Sequence, residues 1–176
     1  MDSNRPVLKR TIMIVLDLEN NRLIQRLRKN YDPLADKVAP HITLVFPFES
    51  RMSKFEVEKN IHLSLKGITP FSIIVQGLEQ QDFWLYLKVI EGGEALSNMH
   101  QRLYDGKFKQ YKPSWLKEYC PHVTVGHFAS VLEAKKAYEE ELDFAGEFQG
   151  SVRKVTVEII GKDEKSIIES EYELEV

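Results

Sequence analysis

Cysteine is almost missing from this chain: Cys120 stands alone, which excludes an internal disulfide framework and a cysteine-rich zinc site. Set at the start of an apolar stretch, it reads as small apolar filler rather than as a nucleophile. Long apolar runs are missing too. Stretches such as residues 12–16 fall far short of the roughly 20 residues that a membrane-spanning helix needs, and the opening Met1-Asp2-Ser3-Asn4-Arg5-Pro6 has no secretory apolar region. A cytoplasmic protein with no membrane partner is the expectation. Nor is there an excess of positive charge. A net charge of -3 and a pI near 6.0 argue against a broad basic surface for long duplex nucleic acid, because phosphate neutralisation dominates that affinity. A small phosphodiester or the end of an RNA would need only a local positive patch. With 176 residues, 43% of them hydrophobic, the chain is long enough for one sizeable core.

What the chain does have is a tetrapeptide that occurs twice: Pro40-His41-Ile42-Thr43 and Pro121-His122-Val123-Thr124. Each copy opens a short apolar run of strand character, Leu44-Val45-Phe46 after the first and Val125-Gly126-His127-Phe128 after the second. Side chains alternate along a strand, so His and Thr two residues apart share one face while Ile42 and Leu44, or Val123 and Val125, share the other. Each copy offers an imidazole beside a hydroxyl on a wall backed by core. Two such walls across a groove would suit acid and base chemistry on a phosphoryl group. A metal centre is not expected, since Thr is a poor ligand and no third His, Cys or carboxylate recurs at matched spacing.

The surroundings of the motif repeat as well. Residues 9–17 read as a buried strand and residues 19–29 as a helix with Leu23, Ile24 and Leu27 inside and Arg22, Arg26 and Arg28 outside. After the first motif, Ser53 and Glu56 form a capping box that opens a helix to about Leu65. A strand over residues 70–78 follows, with Gly77 marking a turn. Residues 83–90 then read as a strand and 94–104 as a helix. After the second motif, Ser130 and Glu133 form another box, opening a helix to about Leu142, and residues 152–160 read as a strand. Strand, helix, His-x-Thr strand, capped helix, strand thus occurs over 9–78 and again over 83–160, which indicates an internal duplication with two-fold pseudo-symmetry. Residues 166–176 read as a half-exposed strand or charged edge.

Two features stand outside the repeat. Residues 107–119 interleave Lys107, Lys109, Lys112 and Lys117 with Phe108, Tyr111, Trp115 and Tyr119. Such a stretch either touches substrate, with Lys112 on phosphate and Tyr111 or Trp115 against a base, or is a packed loop whose aromatics plug one end of a lobe. The other three histidines carry no such pattern. Strand alternation turns His127 away from the His122 face, and His62 and His100 read as exposed polar residues on helices.

Paired Pro-His-Ile-Thr-Leu and Pro-His-Val-Thr-Val-Gly strands in a duplicated α+β chain of this size resemble the two-histidine (2H) phosphoesterase superfamily, which includes the 2′-5′ RNA ligase-like proteins and the 2′,3′-cyclic phosphodiesterases. The resemblance covers nearly the whole chain. It implies one bilobal domain over residues 1–176, α+β, with two antiparallel sheets that exchange strands, outer helices and a central groove. It also implies a catalytic pair, His41 and His122, phosphate-binding hydroxyls on Thr43 and Thr124, no metal or other cofactor, and a small phosphodiester or RNA terminus as substrate for a monomer. A module that binds a phosphorylated ligand without turning it over would need the hydroxyls but not both histidines.

Overall fold

The computed structural model describes residues 5–175. The readings placed on residues 1–4 and on Val176 lie outside the described residues. The elements in order are β1 (Leu8–Val15), α1 (Asn21–Tyr31), β2 (His41–Ser50), α2 (Lys54–Leu65), β3 (Phe71–Gln81), β4 (Trp84–Glu91), α3 (Gly93–Asp105), β5 (His122–His127), α4 (Val131–Glu140), β6 (Glu147–Val152), β7 (Lys154–Ile160) and β8 (Ser166–Glu173). A short 3₁₀ turn, Lys107–Tyr111, follows α3.

The strands form two four-stranded antiparallel sheets, β2-β1-β7-β8 and β5-β4-β3-β6. The orders match position by position: a His-x-Thr strand at one edge, then the strand that begins its repeat, then a strand from the other repeat. The third strand of each repeat has therefore changed sheets, β3 lying beside β4 and β7 beside β1. Neither half can close its sheet without the other. The single strand expected over residues 152–160 is broken at Arg153, where the chain leaves β6 in the second sheet and enters β7 in the first. β8 is the acidic outer edge of the first sheet.

Helices are exchanged in the same manner, α1 packing on β5 and α3 on β2, while α2 lies against α3 and β8, and α4 against β3 and β4. Inward residues of both motif strands, Ile42, Leu44, Val123 and Val125, are at most 1% exposed in one core shared by the two sheets. Each such side chain contributes about 1.5–3 kcal/mol relative to exposure. Ser53 caps α2 with both halves of its box, and at α4 Ser130 accepts from the Glu133 N–H, the Ser half of the second box. Among the described residues no helix is long and apolar enough to cross a membrane.

Two expectations fail for one local reason, an extra residue in a strand. Gly77 does not end β3. It lies at φ +84° where the β3–β4 register slips between Val75 and Leu78, and a Cβ there would sit 2.9 Å from Lys88 Cε. The strand continues to Gln81, and the turn is made by Asp82 at φ 51° with Phe83. The motif strands slip likewise: Thr43 faces Met13 and Val45 faces Ile12, just as Thr124 faces Tyr86 and Gly126 faces Leu85. Leu44 and Val125 are thus extra residues at equivalent places, and a bulge resets which side chains follow on each face.

Candidate active site

The inner edges β2 and β5 lie against one another and bring the motifs together, and the charge of His122 acts on His41. The two imidazoles are held alike. His41 Nδ1 donates to the carbonyl of Ala39 and His122 Nδ1 to the carbonyl of Cys120, each at 2.8 Å. A carbonyl can only accept, so in the neutral ring the proton sits on Nδ1 and the lone pair on Nε2. Both rings then offer Nε2 for proton transfer. Burial pushes both pKa values below the ordinary 6.5, and for His41 the nearby Arg28 guanidinium pushes the same way. The carbonyl acceptors, which favour the protonated ring, offset part of this. Cys120 is exposed rather than filling space, and it meets the site through that backbone carbonyl.

The chain entering His41 is fixed by a residue the helical pattern had placed outside. Arg28 is 1% exposed. Its guanidinium bonds Asp32 at 2.8 Å and the carbonyls of Val38 at 2.8 Å and Leu34 at 3.2 Å. Asp32 in turn accepts from the Leu34 N–H. The fork thus closes residues 32–38 into a rigid approach to the first motif, a use that periodicity could not reveal.

Thr43 is held from the other side. As an edge strand, β2 leaves backbone groups without ladder partners, and three side chains supply them: Tyr119 donates to Thr43 O at 2.8 Å, His100 Nδ1 to Leu44 O at 2.8 Å, and Tyr104 accepts from Phe46 N–H at 3.0 Å. His100 is therefore buried and structural, not exposed, with Tyr119 stacked on it at 3.8 Å and 7°. The basic and aromatic stretch divides accordingly. Phe108 is buried, Tyr111 stacks on Phe48 at 4.8 Å, and Lys112 lies 5.8 Å over the Tyr104 ring. Trp115 stays 65% exposed, edge-on to Phe46 at 5.0 Å.

Around His122 the second sheet adds groups absent from the sequence reading. Lys88 lies opposite His122, and Tyr86 lies opposite Thr124 with its ring 5.0 Å from that of His122. Glu79 joins them, accepting from Tyr86 Oη at 3.1 Å and pairing with Lys88 Nζ at 2.8 Å. Burial and the Glu79 carboxylate push the Tyr86 phenol up to about 12. His127 needs correction. The bulge at Val125 returns it to the face of His122 and Thr124, opposite Trp84, because the extra residue cancels one step of alternation. The glycine at 126 was the available signal, since a lone strand glycine often marks a bulge. Among the described residues no three His, Cys, Asp or Glu side chains gather as a metal site would require.

Residues 16–164 match the family model described as the 2'-5' RNA ligase superfamily. A protein from Geobacillus thermodenitrificans named "Putative phosphoesterase" is 31% identical over 119 residues, covering 64% of this chain and 65% of the relative. One from Bacillus mycoides with the same description is 32% identical over 111 residues, 61% and 62% respectively. The chain thus spans a little under two thirds of these curated relatives. Among solved structures, Escherichia coli LigT complexed with 3'-AMP aligns with a TM-score of 0.66 over 97% of this chain and 100% of that one. LigT complexed with ATP aligns at 0.61 over 97% and 100%. Both are 15% identical, and the likeness is one of fold.

Proposed function

Since the chain belongs to the 2'-5' RNA ligase superfamily, we propose that it is a metal-independent phosphoesterase that acts on a 2′,3′-cyclic phosphate or a 2′-5′ phosphodiester, in RNA ends or small nucleotides. The observation that carries this reading is the matched pair of imidazoles, each locked by Nδ1 to a carbonyl two residues back and each with Nε2 left for proton transfer. A module that only held phosphate would not need the same tautomer fixed twice.

In opening a cyclic phosphate, one neutral imidazole takes a proton from water as its oxygen bonds to phosphorus. The other, as imidazolium, gives its proton to the departing ribose oxygen as the P–O bond breaks. Thr43 and Thr124 donate to the non-bridging oxygens, where negative charge grows. With a 5′-hydroxyl in place of water, one imidazole takes the hydroxyl proton as its oxygen bonds to phosphorus, the other protonates the departing ribose 3′-oxygen, and a 2′-5′ phosphodiester results. Trp115 remains a candidate for substrate contact through its exposure, and Lys112 for a phosphate contact through its charge. The nucleotide complexes of LigT support a small nucleotide as the ligand class.

The test is a panel of 2′,3′-cyclic nucleotides, cyclic-phosphate-ended RNA and 2′-5′-linked dinucleotides, assayed in excess chelator. Turnover of at least one class that persists in chelator is expected. Loss of all turnover, restored by one divalent ion, would replace this reading with a metallophosphodiesterase.

A further inference from the structure

The wall around His122 carries a polar network that the fold itself does not require. Lys88 lies opposite His122, Tyr86 opposite Thr124, and Glu79 opposite Tyr86 on the next strand. In the first sheet the same three places hold Val15 opposite His41, Met13 opposite Thr43 and Thr156 opposite Met13, none of them charged. Sheet and motif thus form equally well without charges there. Stability does not account for the Glu79–Lys88 pair either, because its side chains are 42% and 45% exposed and such pairs stabilise a fold little. The chain breaks its two-fold relation here, beside His122.

Lys88 reaches Glu79 by laying its stem across Gly77, where a Cβ would sit 2.9 Å from Lys88 Cε, so the bulge glycine of β3 makes room for the pair. The Lys88 ammonium, at 2.8 Å, holds the Glu79 carboxyl below its ordinary range, so it is ionised at working pH. Tyr86 donates to it at 3.1 Å and, with its phenol pushed up to about 12, keeps the proton for that bond. The pinned ring stands 5.0 Å from the His122 ring, tilted by 49°. One edge of the imidazole is held by the Cys120 carbonyl and one side is walled by Tyr86. A carboxylate alone behind that wall would favour the imidazolium, and the ammonium opposes it.

We propose that Tyr86 is a positioning residue for His122, pinned by Glu79, and that Lys88 balances Glu79 so that the pin adds no net charge beside the imidazole. The benefit to catalysis rests on the preceding reading, in which His122 moves a proton at Nε2, but the placement of the ring is tested apart from turnover. The ionisable groups facing His122 are Lys88 and Tyr86 from β4, Glu79 behind them on β3, His41 from β2, and Cys120 and His127 on its own segment. The helix packed on β5, α1, brings Tyr31 against Gly126 farther along the strand.

NMR titration of isotope-labelled histidines reads the network without turnover. The His122 pKa should fall in Glu79→Gln, where the Lys88 ammonium loses its partner and a like charge disfavours the imidazolium, and rise in Lys88→Met, where the carboxylate is left alone. On an accepted substrate, Tyr86→Ala should lower kcat roughly 10²-fold, the cost of about 1 Å of misplacement. KM should change far less, and Tyr86→Phe should recover part of the loss. Adding Tyr86→Phe to Glu79→Ala should cost nothing further, because the bond between them is already gone. No shift, shifts of one sign in both charge variants, or a Tyr86→Ala loss that lies in KM overturns the proposal. Opposite shifts in a protein that turns over no substrate would uphold the network and remove the phosphoesterase.

Discussion

Tyr119 donates its hydroxyl proton to the backbone carbonyl of Thr43 at 2.8 Å, so the last aromatic of the inserted stretch holds the first motif's threonine from behind. The same ring stacks on His100, which bonds the next carbonyl along β2. Burial pushes the Tyr119 phenol well above its ordinary range, so it keeps its proton at any working pH. Tyr119→Phe should lower stability by about 1–3 kcal/mol, the cost of leaving a buried acceptor unpaired, read as a shift in urea midpoint. It should also reduce kcat, because Thr43 loses its fixed position. Unchanged midpoint and kcat would show that the stack alone holds the strand.

Loss of either imidazole should be severe. His41→Ala and His122→Ala should each lower turnover by roughly 10²- to 10⁴-fold, the range for losing a general acid or base. The double variant should lose far less than the product of the two, because the pair works as a unit. Near-normal turnover in either single variant would remove that residue from the chemistry.

The motif strands, the repeat and the cap of α2 were legible because each depends on neighbours in sequence: alternation, a Ser-x-x-Glu spacing, and a tetrapeptide met twice. Arg28 and His100 were misplaced because their partners are backbone carbonyls on separate segments, which periodicity does not encode. Gly77 and His127 were misread through one assumption, that a strand holds its two-residue period. Bulges break that period; in β3 and β5 a glycine, Gly77 or Gly126, marks the place, but the bulge at Leu44 in β2 carries none.

Gly126 also makes a prediction about the site. A Cβ there would lie 2.9 Å from Phe128 Cε2, 3.0 Å from Tyr31 Cβ and 3.1 Å from Leu85 Cβ, so three neighbours from different segments would have to give way. Gly126→Ala should cost about 1–3 kcal/mol by overpacking, measurable as a lower urea midpoint. Displacing the bulge should also shift Thr124, two residues back on β5, and lower kcat. A variant as stable as the parent would mean that α1, which carries Tyr31, moves readily against β5.

The pH dependence tests the mechanism itself. Burial lowers the pKa of both His41 and His122 from the ordinary 6.5, and in His41 the charges of Arg28 and His122 add to it. In the proposed mechanism the working form has one ring charged and one neutral, so it exists between the two apparent pKa values of the pair. With both rings shifted down, the free-enzyme bell in kcat/KM should be centred below pH 6.5 and already falling at about pH 7. A bound phosphate is an opposite charge that favours the imidazolium, which moves both limbs upward. The bell in kcat should therefore lie at higher pH than that in kcat/KM. Thr43→Val and Thr124→Val should lower kcat and leave the bell in place, since a hydroxyl that only donates to phosphate has no proton to exchange in this range. The measurement is kcat and kcat/KM against pH for the parent and both Val variants on one accepted substrate. A rate flat from about pH 5 to 9, across the whole histidine range, would mean that neither ring transfers a proton in the limiting step, and the acid and base roles of His41 and His122 would fall with it.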